Sequence, residues 1–389
     1  MERVRRPGRR WVRVRVRVRV RGRLGGLSLS VLLLVTGLTG LAAGAGPSAA
    51  GVSGPAGVSR PGERRPPMSA WLPFWGDVEG AYRDALAHAG QLRTVSPFWY
   101  ETTSERAVDG RPGAVRADMV AGLHRAGIAV VPTVTETPDA AAMGELLHDP
   151  ARRRAHVETL AELVARQGYD GIDLDYETMA VTGGAAAEAR VRSGYVALVG
   201  ELCARLHARG RTCVVTLMPR IRGAGAAFDY RRLGALADTV RFMGYDLHWS
   251  MGEPGPLSSK EWYAQILRDA TAEVPRDRIE LAFPGYGWDW VPGSGRRATH
   301  VTWHEAEALR KRVGARYTFD EVSGTPHFRY TRGGERHEVW YQDARGVRAQ
   351  LAVPAAYGVR GRGLWALGFE DPGVWTVFRG EQPQRGLGG

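Results

Sequence analysis

The sequence predicts an α/β fold, a (β/α)8 TIM barrel with a small α+β insertion between its seventh and eighth strands. From Met68 onward, short apolar runs alternate with segments of helical periodicity, which is typical of a parallel sheet covered by helices. Eight such runs lie within about 310 residues, a span that suits this barrel. The predicted strands are residues 70–74, 94–98, 129–133, 171–176, 213–218, 240–244, 279–284 and 363–367.

The helical segments between these strands have recognisable ends. Three long ones, at residues 114–126, 150–167 and 186–209, end near Gly127, Gly168 and Gly210. Glycine is common at helix C-termini because it readily adopts the left-handed conformation found there. A doubly wound open sheet is the alternative fold, but no glycine-rich phosphate turn follows the first strand.

The insertion is predicted at about residues 292–353. A helical segment near residues 303–313 is followed by short aromatic alternations around Tyr317, Phe328 and Trp340. Alternation with a period of two indicates strands. We therefore expect a small α+β subdomain on one side of the barrel mouth.

The first 67 residues have a different composition. An arginine-rich start, an apolar stretch at residues 24–41 and the small residues Ala43-Gly44-Ala45 are the three parts of a secretory signal peptide, which we assign to residues 1–45. An uncleaved membrane anchor is the alternative. Residues 46–67 predict a disordered spacer before the barrel at residues 68–380. A chain exported in this way acts extracellularly or in the cell wall, without stable membrane association after cleavage.

The net charge of +12 first suggests a nucleic-acid or anionic-membrane partner. However, the first 67 residues contain 14 arginines and two acidic residues, which account for the whole excess. The remaining chain is formally neutral and lacks the charge balance typical of nucleic-acid binding. We therefore expect no nucleic-acid partner.

Cys203 and Cys213 are the only cysteines. Cys203 lies on a predicted helix and Cys213 begins the strand that returns beside it, so a disulfide is feasible in an oxidising compartment. Two buried free thiols are the alternative. The pair does not have metal-ligand spacing, and the sequence indicates neither a metal nor a cofactor.

The fourth predicted strand carries the acidic row Asp170-Gly171-Ile172-Asp173-Leu174-Asp175-Tyr176-Glu177. Side chains alternate along a strand, so Asp173, Asp175 and Glu177 project into the barrel at intervals of roughly 6–7 Å. Close, partly buried carboxyl groups raise one another's pKa. Glu177 comes last, at the C-terminal rim where such barrels form active sites, and a raised pKa suits a general acid.

Aromatic residues accumulate at the same end of the predicted strands. Flat rings can stack on sugar faces while their polar tips bind hydroxyl groups, so the set predicts a carbohydrate cleft. Protonation of a glycosidic oxygen is then the natural task for Glu177. The aromatic residues at or near strand C-termini are Trp75, Trp99, Tyr245, Trp249, Tyr286, Trp288, Trp290 and Trp365.

Three elements together resemble glycoside hydrolase family 18, which includes chitinases and related N-acetylglucosaminidases. They are the acidic row ending in Glu177, Met243-Gly244-Tyr245-Asp246 on the sixth strand, and Trp365 on the eighth. A finer resemblance is to the bacterial branch that contains spore-cortex and other peptidoglycan N-acetylglucosaminidases. It rests on segments such as Trp71-Leu72-Pro73-Phe74-Trp75 and Pro254-Gly255-Pro256.

The resemblance implies substrate-assisted retaining catalysis. Glu177 would protonate the leaving oxygen while the substrate's 2-acetamido carbonyl attacks the anomeric carbon. Asp175 would hold the acetamido N–H and share a proton with Asp173, and Tyr245 would donate a hydrogen bond to the attacking carbonyl. The expected partner is a polysaccharide, chitin or peptidoglycan, cleaved at β-1,4 linkages after N-acetylglucosamine by a monomer. The expected substrate-binding residues are Asp246, Trp365, Trp75, Trp99, Met243 and Tyr286.

Other functions remain open from the sequence. Carboxylates in a row offer the oxygen ligands that Mg²⁺ and Ca²⁺ prefer, although no phosphate-binding residues accompany them. The barrel could also be lectin-like and bind amino-sugar polymers without cutting them, or act as an endo-N-acetylglucosaminidase on another glycan. Arg220, just beyond the fifth strand, is a candidate contact for an acidic substrate group such as a muramyl lactyl group.

Overall fold

The computed structural model describes residues 68–180, 184–220 and 225–380, so the predicted signal peptide and spacer lie outside the described residues. The strands are β1 Met68–Leu72, β2 Thr94–Pro97, β3 Tyr100–Ser104, β4 Ala107–Gly110, β5 Ala129–Val130, β6 Thr133–Glu136, β7 Gly171–Leu174, β8 Thr212–Leu217, β9 Thr239–Met243, β10 Ile279–Pro284, β11 Tyr286–Trp290, β12 Thr299–Thr302, β13 Thr318–Asp320, β14 Thr325–Arg332, β15 Glu335–Tyr341 and β16 Gly361–Trp365. The helices are α1 Val78–Ala87, α2 Ala117–Arg125, α3 Ala140–His148, α4 Pro150–Gln167, α5 Ala185–His207, α6 Tyr230–Leu236, α7 Lys260–Glu273, α8 Trp303–Arg312, α9 Ala344–Ala356 and α10 Val374–Phe378. Short 3-10 turns cover Thr178–Ala180 and Arg276–Arg278.

Parallel strands form the predicted barrel, and each of the eight predicted strands has a counterpart. From β6 the pairing runs through β7, β8, β9 and β10 to β16, which pairs with β1, and β1 continues to β2 and β5. β5 and β6 are two parts of the third barrel strand. The (β/α)8 prediction is confirmed.

The third barrel strand is interrupted at Pro132, which has no N–H group to donate to a ladder. Backbone bonds from Val131 to Val95 and from Asp173 to Pro132 keep this stretch between its neighbours. The strand then continues to Glu136, beyond the predicted end at residue 133. This difference matters because Glu136 reaches the rim that carries the candidate site.

A β-hairpin that was not predicted follows β2. β3 and β4 pair antiparallel, and β3 also runs parallel beside β6, with Thr102 opposite Glu136. The β3 sequence Tyr-Glu-Thr-Thr-Ser is mostly polar, so it lacks the apolar run by which the other strands were identified.

The insertion is a five-stranded antiparallel sheet, in the order β12–β11–β15–β14–β13, together with α8. Its sheet begins with Tyr286, earlier than the predicted boundary at residue 292. The aromatic alternations of the sequence correspond to β13, β14 and β15. At the start of α8, Thr302 and Glu305 each accept the other's backbone N–H in a capping box.

The main hydrophobic core lies between the barrel and its helices, and includes Leu160, Ile172, Leu202 and Phe242. Gly168, at a φ of 69°, ends α4 as predicted. None of the described helices is both long and apolar enough to cross a membrane.

Cys203 and Cys213 form a disulfide. The bridge ties α5 to the beginning of β8, so it lies at the N-terminal end of the barrel strands. The acidic row ends at the opposite, C-terminal end. The disulfide is therefore separate from the candidate site.

Candidate active site

The acidic strand runs through the barrel interior to its rim. Asp173 is fully buried, Asp175 is 5% exposed, and Glu177 is half-buried just beyond β7. Ile172 and Leu174 alternate with these residues and belong to the main core on the other face. Within β7 the period of two directs Asp173 away from this core face, and Asp175 and Glu177 follow after the strand ends at Leu174.

Both oxygens of Asp173 are occupied. Its Oδ2 accepts hydrogen bonds from Thr133 Oγ1 at 2.7 Å and Arg241 Nη1 at 2.8 Å, and its Oδ1 accepts one from Thr216 Oγ1 at 2.7 Å. The expected sharing of a proton between Asp173 and Asp175 stays a prediction. The Arg241 guanidinium and the two threonine hydroxyl groups together fix the position of the Asp173 carboxyl group.

Arg241 supplies the buried cation, and the sequence alone did not single it out. Its guanidinium also donates to Glu280, to Ser69 Oγ at 2.9 Å and to Ser96 Oγ at 3.3 Å. Against the lowering effect of burial, Glu280 and Asp173 raise the pKa of Arg241 above its ordinary value. A signal was present, because Arg241 interrupts an apolar strand at a position where a charge requires partners.

Asp175 is held differently from Asp173. Its Oδ1 is buried and has no hydrogen-bond partner among the residues that the structure describes. Burial, followed by the charges of Glu177, Asp173 and Glu136, raises the pKa of Asp175 well above its ordinary value, and Arg241 opposes this shift. A buried acceptor without a donor is costly, so an N–H group on a ligand would satisfy this oxygen.

Glu177 has the protonation behaviour that acid–base chemistry requires. Burial, with a further contribution from the charge of Asp246, raises the pKa of Glu177 to about 7. Both protonation states are then populated near neutral pH. The same group can therefore donate a proton in one step and accept one in the next.

Glu136 holds the backbone around Glu177. Its Oε2 accepts a hydrogen bond from the Glu177 N–H at 3.1 Å, and its Oε1 accepts one from the Met179 N–H at 3.2 Å. Burial raises the pKa of Glu136 to about 7, although these N–H groups counteract the shift. The sequence did not predict this contact, because the third strand was expected to end at residue 133.

Tyr245 follows β9 and lies close to the acidic row. Burial, followed by the charges of Asp175 and Glu177, raises the pKa of Tyr245 well above its ordinary value. Its hydroxyl therefore keeps its proton and remains a hydrogen-bond donor. The sequence placed Tyr245 in the site, and the structure brings it to Asp175 and Glu177.

Asp246 is held at the mouth by two side chains of the insertion. Its Oδ1 accepts hydrogen bonds from Tyr286 Oη at 2.5 Å and from Trp288 Nε1 at 3.0 Å. Asp246 also has a φ of 60°, a left-handed conformation that residues other than glycine rarely adopt and that is common at functional sites. Tyr286 itself is buried, so it supports Asp246 rather than offering a ring face.

Trp365 is the centre of an aromatic wall at the mouth. Its ring centroid lies 5.0 Å from that of Phe98, 5.4 Å from Trp71 and 6.1 Å from both Trp75 and Tyr245. Trp75 is 37% exposed. Trp71 and Phe98 meet the Trp365 ring edge-on, whereas the Tyr245 ring is stacked on it. The expectation that these rings stack on sugar faces stays a prediction.

Several residues expected to line the cleft are buried instead. Trp99 is fully buried in the main core, and Phe98, one residue earlier, contacts Trp365 and Trp75 in its place. Successive side chains of an extended chain point to opposite faces, so an error of one residue exchanges the cleft for the core. Met243 and Trp290 are also buried.

The structure also bears on the metal-binding alternative and on Arg220. Within residues 68–180, 184–220 and 225–380, no three His, Cys, Asp or Glu side chains form a group that could hold a metal ion. Arg220 forms an ion pair with Glu273 and stacks on the Tyr230 ring at 3.7 Å. Its charge is therefore already balanced within the protein.

The chain has recognisable relatives. A family model described as glycosyl hydrolases family 18 matches residues 128–370. An uncharacterized glycosylase of Bacillus subtilis is 25% identical over 237 residues, covering 60% of this chain and 67% of that protein. The cortical fragment-lytic enzyme of the same organism is 27% identical over 242 residues, covering 60% of this chain and 54% of the enzyme. The chain thus spans about half the length of this second relative.

Solved structures share the architecture. A chitinase from Chromobacterium violaceum matches with a TM-score of 0.73 and 25% identity, covering 81% of this chain and 98% of that chain. The spore cortex-lytic enzyme SleL from Bacillus cereus also gives a TM-score of 0.73, at 22% identity, covering 82% of this chain and 75% of that chain. The likeness to SleL shows a common fold.

Proposed function

Because the chain belongs to glycosyl hydrolases family 18, we propose that it cleaves β-1,4 linkages after N-acetylglucosamine in peptidoglycan or chitin by substrate-assisted retaining catalysis. The observation that carries the proposal is a pair of differently held carboxyl groups. Glu177 has a pKa of about 7, and the neighbouring Asp175 has a buried oxygen to which none of the described residues donates a hydrogen bond. The first suits proton transfer to a glycosidic oxygen, and the second suits an acetamido N–H.

In the first step, protonated Glu177 gives its proton to the glycosidic oxygen. The carbonyl oxygen of the substrate's 2-acetamido group bonds to the anomeric carbon as the bond to the leaving sugar breaks, giving an oxazolinium intermediate. In the second step, ionised Glu177 takes a proton from water while the water oxygen bonds to the anomeric carbon. The bond between that carbon and the acetamido oxygen breaks, which restores the 2-acetamido group. Two inversions retain the configuration, and the tethered nucleophile needs no second carboxylate.

The surrounding residues stabilise this reaction. Asp175 accepts the acetamido N–H and faces the positive charge of the intermediate, while Asp173, paired with Arg241, precedes it in the acidic row. Tyr245 donates to the acetamido carbonyl, which its raised pKa supports. Asp246 binds sugar hydroxyl groups, and Trp365 packs beneath the sugar ring.

The location and organisation of the protein are part of the same proposal. Residues 1–45 are a signal peptide, residues 46–67 a spacer and residues 68–380 the catalytic domain of an extracellular or cell-wall monomer. The composition of the first 67 residues supports this proposal. Reducing-end assays of culture medium and of cell extract test it, because exported enzyme places the activity outside the cell.

The first test compares the full chain with its Glu177→Gln variant on purified peptidoglycan and on chitin oligomers. Glutamine keeps the size of the side chain but cannot act as the acid, so we expect reducing-end release to fall about 100-fold or more. Glu261→Gln, at an exposed position of α7, is the matched control.

The products distinguish the alternatives. New N-acetylglucosamine reducing ends with the β configuration, observed by NMR immediately after cleavage, support the proposal. Undiminished release by Glu177→Gln contradicts the assignment of the acid. Binding of either polymer without release by the wild-type chain contradicts hydrolysis and favours the lectin-like function.

A further inference from the structure

Glu136 lies outside the row of carboxyl groups that the mechanism uses. Along β6, Thr133 bonds Asp173 inside the barrel, whereas Val134 packs in the main core between the barrel and the helices. Glu136 lies two positions after Val134 on the strand, so its side chain points to the same, helix-covered face. It is 8% exposed there.

On that face, Glu136 binds the turn that follows the acidic strand. Its two oxygens accept one N–H each, from Glu177 and from Met179. The turn is closed by a further bond from the Ala180 N–H to the Glu177 carbonyl at 3.0 Å, and both Met179 and Ala180 are buried. A carboxylate that accepts hydrogen bonds from the N–H groups of Glu177 and Met179 restrains the backbone from which Glu177 projects.

We propose that Glu136 is a positioning residue that fixes the turn carrying Glu177 and thereby sets the orientation of the proton donor. This inference rests on the proposed role of Glu177 as general acid. Proton donors depend on orientation, since small displacements of a reacting group cost much of its catalytic effect. Glu136 has no contact with substrate in this proposal and acts only through the backbone.

The grip of Glu136 depends on its charge. Ionised, it offers an acceptor at each oxygen, whereas the protonated form has one hydroxyl that prefers to donate. With a pKa near 7, Glu136 changes state in the working range of Glu177. The ionisable groups that interact with it are Asp175, Tyr176 and Glu177 from the acidic strand and Tyr195 from α5.

The two glutamates therefore place opposite demands on pH. Glu177 donates only while protonated, so activity falls as pH rises through its pKa. Glu136 holds the turn best while ionised, so its contribution falls as pH decreases through its own pKa. The decrease in kcat on the acid side of the pH profile then has two causes, the protonation of Glu136 and the protonation of Asp175.

The test measures kcat and KM from about pH 4 to 9 for the full chain carrying Glu136→Gln or Glu136→Asp. For Glu136→Gln, which keeps the volume but offers one acceptor at every pH, we expect kcat near neutral pH to fall about 10- to 100-fold with KM changed less than about twofold. The acid-side decline should lose the contribution of Glu136. Glu136→Asp retains a titrating group and should restore a pH-dependent decline at lower kcat.

Controls separate the possible failures. Glu145→Gln, on the exposed face of α3, should match the wild type. If Glu177→Gln is inactive while Glu136→Gln keeps the kcat and pH profile of the wild type, this inference alone is overturned. If Glu177→Gln is active, the proposed function is overturned. A uniform loss of kcat at every pH, with the wild-type profile shape, would show a merely structural role and also overturn it. If Glu136→Gln does not fold by circular dichroism, the profile of Glu136→Asp decides in the same way.

Discussion

Phe98 and Trp99 are consecutive aromatic residues with different environments. The Phe98 ring lies 5.0 Å from Trp365 and 6.0 Å from Trp75, within the aromatic wall of the mouth. Trp99 is fully buried in the main core. At the scale of one residue, the direction of a side chain thus decides whether an aromatic ring serves binding or packing.

Alanine substitutions should separate these two roles. Trp99→Ala removes a large core side chain and should lower the free energy of unfolding by about 3–5 kcal/mol. Phe98→Ala removes one ring from the wall and should raise KM roughly 2- to 10-fold, since an aromatic contact contributes about 0.5–1.5 kcal/mol. Urea unfolding and KM on the same two proteins check this. A raised KM in Trp99→Ala at unchanged stability would place Trp99 in the cleft after all.

Among the elements, β9 has a special position because Arg241 connects it with other barrel strands. Its guanidinium bonds Ser69 on β1, Ser96 on β2 and Glu280 on β10, and it pairs with Asp173 on β7 at 2.8 Å. A charge inside a barrel is tolerated only with such partners. Contacts among five barrel strands therefore depend on the Arg241 side chain, which also opposes the rise in the pKa of Asp175.

Removal of this cation should be costly because it leaves buried carboxylates without a partner. We expect Arg241→Met to lower the free energy of unfolding by about 3–5 kcal/mol. The double variant Arg241→Met/Asp173→Asn should lose less than Arg241→Met alone, because one of the stranded charges is neutralised. Urea unfolding of both single variants and the double variant gives the coupling energy. Strictly additive losses would mean that Arg241 and Asp173 do not act as a pair.

The elements that the sequence predicted are those with a local periodic signal. The barrel strands are apolar runs, and the alternation of Asp173, Asp175 and Glu177 is visible in the sequence, although the strand itself ends at Leu174. The role of Arg241 depends on partners as far as 172 positions away in the chain, which no local pattern encodes. The contact made by Glu136 was not predicted because the third strand was expected to end at residue 133. Phe98 was not predicted at the mouth because the next residue, Trp99, was expected there.

The molecule as a whole gathers proton-binding groups at one end of the barrel. Burial raises the pKa of Glu136 and of Glu177 to about 7, and that of Asp175 well above its ordinary value. Folding therefore takes up protons at neutral pH, when the same carboxyl groups in an unfolded chain are ionised. The arrangement that suits acid catalysis opposes the stability of the fold, as active sites often do.

This opposition gives the stability of the protein a definite pH dependence. Carboxyl groups whose folded-state pKa is about 7 favour the folded state fully below their unfolded value near 4.5, and this contribution is lost as pH rises through 7. The free energy of unfolding should thus decrease between about pH 5 and 8, by at most about 1.4 kcal/mol per pH unit for buried Glu136. Urea unfolding across this range should show a shallower decrease for Glu136→Gln and Glu177→Gln than for wild type or Glu145→Gln. Stability that rises through the window in the wild type, or slopes that are equal in all four proteins, would mean that these two carboxyl groups are not protonated by folding.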